Sequence, residues 1–190
     1  MPTFDLVILG GGSGGYAAAL RGAQLGLSVA LIEKDKLGGT CLHYGCIPTK
    51  ALLHAAEVAD ATKEAGAFGI QATFQGVALP GVYGYRDGVV GRLYKGLQGL
   101  VKSRSVELVE GTGRLTSPTT VQVGEETYTA SKAVVLATGS YARSLPGLEI
   151  GGRVITSYEA LSLDFVPASA IVLGGGVIGV EFASVWRSFG

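Results

Sequence analysis

The chain has 190 residues, with 15 Lys and Arg balanced by 15 Asp and Glu, so its formal net charge is zero. That length buries one respectable core and a fragment of a second. The balance, at 16% charged residues, leaves no electrostatic footprint for nucleic acid or an anionic membrane. Mean hydropathy is high at +0.39, yet no run of about 18 uninterrupted apolar residues occurs, so a soluble, cytoplasmic protein is expected. Met1 to Asp5 has no basic stretch ahead of the apolar run, which argues against a signal peptide. Two cysteines are too few for a disulfide scaffold and fit catalysis or metal binding better.

In chain order, Phe4 to Leu9 is a short apolar run that predicts a buried parallel strand. Ser13 to Leu25 predicts a helix stopped by Gly26. Ser28 to Ile32 predicts a second strand, ending at Glu33, and a loop of Gly, Thr and Cys follows. Helical spacing of Leu52, Leu53, Ala56 and Ala59 predicts a helix over residues 46–64. Val89, Leu93, Leu97 and Leu100 predict another over residues 83–102. Val106 to Val109, Val121 to Val123, Thr127 to Thr129 and Ala133 to Ala137 are expected as strands. Beyond a linker-like stretch, Ile171 to Leu173 reads as strand, Gly174 to Gly176 as turn, and Val177 to Phe189 as helix. The expected domains are residues 1–145, a linker at 146–167, and the start of a second unit at 168–190.

Gly10-x-Gly12-x-x-Gly15 follows a strand and opens a helix, the context in which this pattern binds a dinucleotide. Gly10 permits the tight turn, Gly12 the close approach of the pyrophosphate, and Gly15 close helix–strand packing. The diphosphate then rests on unpaired N–H groups at the helix N-terminus. Glu33 ends the next strand, 18 residues after Gly15, where an acid accepts hydrogen bonds from a ribose. Gly174-x-Gly176-x-x-Gly179 repeats the pattern and suggests a second, NAD(P) site. The acid that chooses between NAD and NADP is expected about 20 residues beyond Gly179, past Gly190.

Cys41 and Cys46 lie close in sequence behind the first dinucleotide turn. They favour FAD over NAD there, because a flavin exchanges two electrons with a dithiol whereas nicotinamide takes a hydride. On a regular helix, Cα atoms five residues apart stand about 8.6 Å apart. A disulfide needs less than about 7 Å, so an oxidised pair excludes regular helix between them. Gly45 and Pro48 suit that break, and Cys46 falls near a helix N-terminus, which favours a thiolate. Two other readings of the pair remain: inert buried thiols, or zinc held by Cys41, His43, Cys46 and His54, although that spacing matches no common finger. His43 by itself reads as a polar loop residue with, at most, a positional role. Lys50 falls about one turn into its helix, where a lysine is ordinarily a solvated surface charge, or, near a flavin, one that would stabilise the anionic reduced ring. Glu181, in an otherwise apolar helical stretch, needs a partner, and Lys50 is the candidate.

Two dinucleotide fingerprints with GGTCLHYGCIPTKALLH between them closely resemble the class I flavoprotein disulfide reductases, the pyridine nucleotide-disulfide oxidoreductases. VLATGS and IVLGGGVIGVEFAS are also similar, and the branch most resembled is that of the dihydrolipoamide dehydrogenases. The resemblance implies an α/β fold: a Rossmann-like FAD-binding domain with a parallel sheet and a small antiparallel insertion, plus the start of a Rossmann-like NAD-binding domain. It implies one FAD per chain, held by Gly10, Gly12, Ser13, Gly14, Gly15, Glu33, Lys34, Gly39, Thr40 and Lys50, with contacts from Gly113, Thr138, Gly139 and Ser140. It makes Cys41–Cys46 the redox disulfide, Cys46 facing the flavin and Cys41 exchanging with substrate, and it supports Lys50 with Glu181. The NAD loop becomes Gly174, Gly176, Val177, Ile178 and Gly179, with no metal.

His43 and Thr49 depart from the commoner Asn and Ser. The rest of the NAD domain, a second FAD segment and an interface domain carrying a His-Glu base across a homodimer do not fall within these residues. An N-terminal portion, inactive alone, is therefore expected. The implied partners of the complete enzyme are the dihydrolipoyl groups of 2-oxoacid dehydrogenase complexes. Mycothione- or mercuric-type reductases and a non-catalytic flavin-binding module are the alternatives.

Overall fold

Apolar side chains that alternate across a strand need a layer on each face, and β1 (Thr3–Leu9) and β2 (Val29–Glu33) show this pattern. In the computed structural model, which describes residues 1–190, Val7, Ala30 and Ile32 enter one apolar cluster. Their neighbours Ile8, Val29 and Leu31 enter another. Helix α1 (Ser13–Gln24) contributes Ala19 to the second cluster. It ends as its sequence suggests, with Gly26 at φ +79° donating to the Ala23 carbonyl.

Two helices follow, the short α2 (Gly39–His43) and the longer α3 (Cys46–Glu64), then α4 (Leu79–Ser103). Strands β3 (Glu107–Glu110), β4 (Gly113–Ser117), β5 (Thr120–Val123) and β6 (Glu126–Leu136) complete one six-stranded sheet, ordered β3-β2-β1-β6-β5-β4. Strands β3, β2, β1 and β6 run parallel, whereas β4, β5 and β6 pair antiparallel. The result is the α/β fold expected, a Rossmann-like sheet with a small antiparallel part. Helices α5 (Ser157–Ala160) and α6 (Val177–Phe189) follow.

Contacts divide the chain into two units, Met1–His43 with Gly91–Tyr141 and Tyr44–Val90 with Ala142–Gly190. The first holds the whole sheet. The second has its own core of Leu52 and Ala56 from α3, Ala160 and Leu161 at α5, and Phe182, Val185 and Phe189 from α6.

Several elements differ from expectation. Thr127 to Thr129 and the expected strand from Ala133 fall in one strand, β6, which ends at Leu136. The polar interruption between them is a register shift in the pairing with β1, around Asp5, whose carboxylate meets Ser131 Oγ at 3.4 Å and Lys132 Nζ at 3.1 Å. Helix α2 lies in the stretch read as loop, and β4, largely exposed, carries no apolar alternation that would have marked it. Helix α4 begins four residues before the expected start. Ile171 to Leu173 forms no strand, and Ile171 is 91% exposed. An apolar run becomes a strand only by pairing, and no neighbour pairs with it. No helix is long and apolar enough to cross a membrane.

Candidate functional site

In a parallel sheet, ligands sit beyond the carboxyl ends of the strands. Leu9 pairs with Ile32 on one side and Leu136 on the other. The residues that leave these strands, Gly10, Glu33 and Thr138 to Ser140, therefore emerge at one edge. Gly10 adopts φ +105°, and a Cβ there would stand 2.2 Å from the Ala137 carbonyl oxygen. A Cβ on Gly15 would stand 1.7 Å from the Gly10 carbonyl oxygen, so α1 packs against its own entry turn with no room for a side chain.

Gly12 caps α1 and offers no side chain, so no side-chain acceptor occupies the first amides of the helix. Those amides and the helix dipole suit a diphosphate. Glu33 is held in place: its Oε2 accepts from Gly11 N at 2.6 Å and its Oε1 from Asp35 N at 2.9 Å. Each carboxylate oxygen keeps a further lone pair for a ribose hydroxyl. The uncapped helix end, the side-chain-free cradle and the anchored acid fit a dinucleotide such as FAD. The motif alone did not mark Gly11 as the residue that orients Glu33; its one signal was a glycine at the unspecified position between Gly10 and Gly12.

The thiol-bearing segment begins against this cradle. Gly38 N donates to Gly11 O at 2.8 Å, and a Cβ on Gly39 would come within 2.7 Å of Gly12 Cα. Thr40 and Cys41 follow in α2, with Thr40 exposed and Cys41 half-buried. The helix breaks at Tyr44–Gly45, and α3 starts at Cys46, so the two cysteines lie on different helices rather than one regular helix. Cys46 is exposed at the first position of α3, which is capped by Gly45 without a side-chain bond.

Lys34 is exposed beside Glu33. Gly113 opens β4, where a Cβ would collide with Leu9 Cδ1 at 2.4 Å and with Ile32 and Val121 further out, so packing alone already demands glycine. In the second unit, Lys50 Nζ lies 2.6 Å from Glu181 Oε1, with side-chain exposures of 55% and 17%. Gly174 adopts φ +112°, Gly176 caps α6, and a Cβ on Gly179 would stand 2.3 Å from the Gly174 carbonyl oxygen. Val177 and Ile178, exposed, form the first turn of α6. No group of three or more His, Cys, Asp or Glu side chains gathers as a metal site.

The fold is that of a Rossmann-type dinucleotide-binding protein. The family model for pyridine nucleotide-disulphide oxidoreductases matches residues 4–190, and the chain belongs to that family. A dihydrolipoyl dehydrogenase of Bacillus subtilis is 46% identical over 98% of this chain and 42% of its own length. One from Thermus scotoductus is 44% identical over 100% of the chain and 41% of its own length. A leghemoglobin reductase of Glycine max is 44% identical over 98% and 37%. The chain thus spans about two fifths of the length of these curated relatives.

Proposed function

We propose that the chain is the flavin- and thiol-bearing portion of an NAD-linked disulfide oxidoreductase of the dihydrolipoyl dehydrogenase type. The observation that carries this reading is the docking of the turn that opens Cys41's helix onto the dinucleotide turn, through Gly38 N to Gly11 O and Gly39 against Gly12. Gly10 to Gly15, Glu33, Lys34, Gly39, Thr40, Gly113 and Thr138 to Ser140 would hold one FAD, with Cys41, Cys46 and Lys50 toward its reactive end. FAD, when bound, supplies the two-electron acceptor that returns the thiol pair to its disulfide and passes the electrons to NAD.

The chain's own chemistry is thiol–disulfide exchange. One thiolate of a dihydrolipoyl group attacks Cys41 Sγ, the Cys41–Cys46 bond breaks, and Cys46 leaves as thiolate. The second substrate thiolate then attacks the mixed disulfide and releases Cys41. The substrate loses two electrons and closes its ring, and the chain gains two thiols. Cys46 leaves from the first position of α3, at the N-terminus of that helix. Glu181 holds Lys50 in one orientation as the local positive charge. Gly174, Gly176, Val177, Ile178 and Gly179 are the proposed start of the NAD site. A homodimer in the cytoplasm, acting on the dihydrolipoyl groups of 2-oxoacid dehydrogenase complexes, completes the proposal.

Purified chain loaded with FAD and titrated with dithionite tests it. A long-wavelength band from thiolate beside flavin is expected at two electrons, and Cys46→Ser should abolish it. Bound FAD with no such band in the parent chain would favour the non-catalytic module instead. The 190 residues by themselves are expected not to form NADH from dihydrolipoamide and NAD.

A further inference from the structure

His43 ends α2, two residues beyond Cys41. Its imidazole reaches back along the chain. Its Nε2 lies 3.0 Å from the Leu37 main-chain oxygen. A carbonyl oxygen only accepts, so Nε2 carries the proton and donates. The ring also meets Tyr94 of α4 edge-on, with centroids 4.9 Å apart and planes at 78°.

Leu37 is buried and directly precedes Gly38, whose amide docks on Gly11. The turn that starts α2 is therefore fastened to the dinucleotide cradle, and His43 ties the far end of α2 to that same turn. A five-residue helix does not hold its shape by itself, because nucleation is too costly. We propose that His43 is a positioning residue for Cys41: its Nε2–H bond to Leu37 closes α2 into a rigid loop that fixes the exchanging thiol. The inference rests on the reading of Cys41 as that thiol, and it assigns the resemblance's departure from Asn a structural purpose.

The bond and the ring contact are separable by substitution. His43→Gln keeps a donor at the position of Nε2 and loses the ring, whereas His43→Phe keeps the ring and loses the donor. In the reduced 190-residue chain carrying Cys46→Ser, so that one thiol remains, iodoacetamide alkylation of Cys41 is followed by mass spectrometry. His43→Phe is expected to raise the rate about fivefold, as the loss of one hydrogen bond opens α2 more often. His43→Gln is expected to stay within about twofold of the parent. The reverse pattern, Phe neutral and Gln fast, would assign His43 to packing and overturn the proposal.

Long-range imidazole ¹⁵N spectra of the unsubstituted chain decide the matter if the variants do not fold. A proton on Nε2 is expected, and the Nδ1–H tautomer with a bare Nε2 would overturn the bond. Absence of a Cys41–Cys46 disulfide in the oxidised chain would defeat the proposed function yet leave the alkylation result standing. A disulfide that forms while His43→Phe reacts like the parent would remove only the positioning role.

Discussion

The two glycine-rich turns have nearly the same backbone but very different surroundings. Gly10 and Gly174 adopt φ +105° and +112°, and Gly12 and Gly176 cap their helices at φ −69° and −73°. Tyr16 N donates to Gly12 O at 2.9 Å and Val180 N to Gly176 O at 3.1 Å. Before Gly10, however, stands a strand paired on both sides, with Val7 and Ile8 wholly buried. Before Gly174 stands an unpaired apolar stretch. Local sequence suffices for turn and helix start, because glycine alone supplies the positive φ and the close approach. A strand needs partners that its own residues cannot provide.

This contrast can be broken by substitution, and the glycine that closes the first turn should respond most. Gly15→Ala forces a Cβ onto a backbone oxygen that is fixed by the sheet, and is expected to cost more than about 3 kcal/mol in urea unfolding. Gly179→Ala meets the Gly174 oxygen and Val172, in an exposed segment that pairs with no strand, and should cost about 1 kcal/mol. Equal losses would mean that the second turn is as firmly walled as the first. Next, Ile8→Ala should cost about 3 kcal/mol, whereas Ile171→Ala should change stability by less than about 0.5 kcal/mol. A loss at Ile171 matching that at Ile8 would place it in a core.

Acid should loosen the first unit through Asp5. Its carboxylate accepts from Ser28 N at 2.9 Å and also meets Lys132 and the Ser28 hydroxyl, which hold its pKa at about 2 against an ordinary 3.8. A depressed pKa contributes stability that is present above the ordinary value and lost as pH falls from about 3.8 through about 2. Asp5→Asn should flatten that part of the pH–stability curve, and an unchanged slope would show that the carboxylate is not held. The smallest effect belongs to Lys50 and Glu181. So exposed a lysine keeps the coupling in a double-mutant cycle within about 1 kcal/mol, and a larger value would indicate a desolvated pair.

What could be read from the residues follows the same division. The strand–turn–helix unit at Gly10 and the strand that ends at Glu33 were readable because apolar runs and glycines are local signals. The α2 helix was hidden, since Gly39 to His43 has no helical periodicity and is held by the cradle and by Leu37. β6 was split because Ser131 and Lys132 answer to Asp5, a partner far along the chain. The Lys50–Glu181 contact was readable because a carboxylate in an apolar helix demands a cation and because the resemblance pairs these two positions. The anchoring of Glu33 by Gly11 and the bond of His43 to Leu37 depend on turn geometry that spacing does not encode.

The central claim is that Cys41 and Cys46 open and close as one bond, and counting thiols tests it most directly. The oxidised chain, treated with one equivalent of dihydrolipoamide and then alkylated, should gain two labels, one on Cys41 and one on Cys46, from a starting state with neither. Two thiols already reactive before treatment and unchanged by oxidant or dihydrolipoamide would contradict the account.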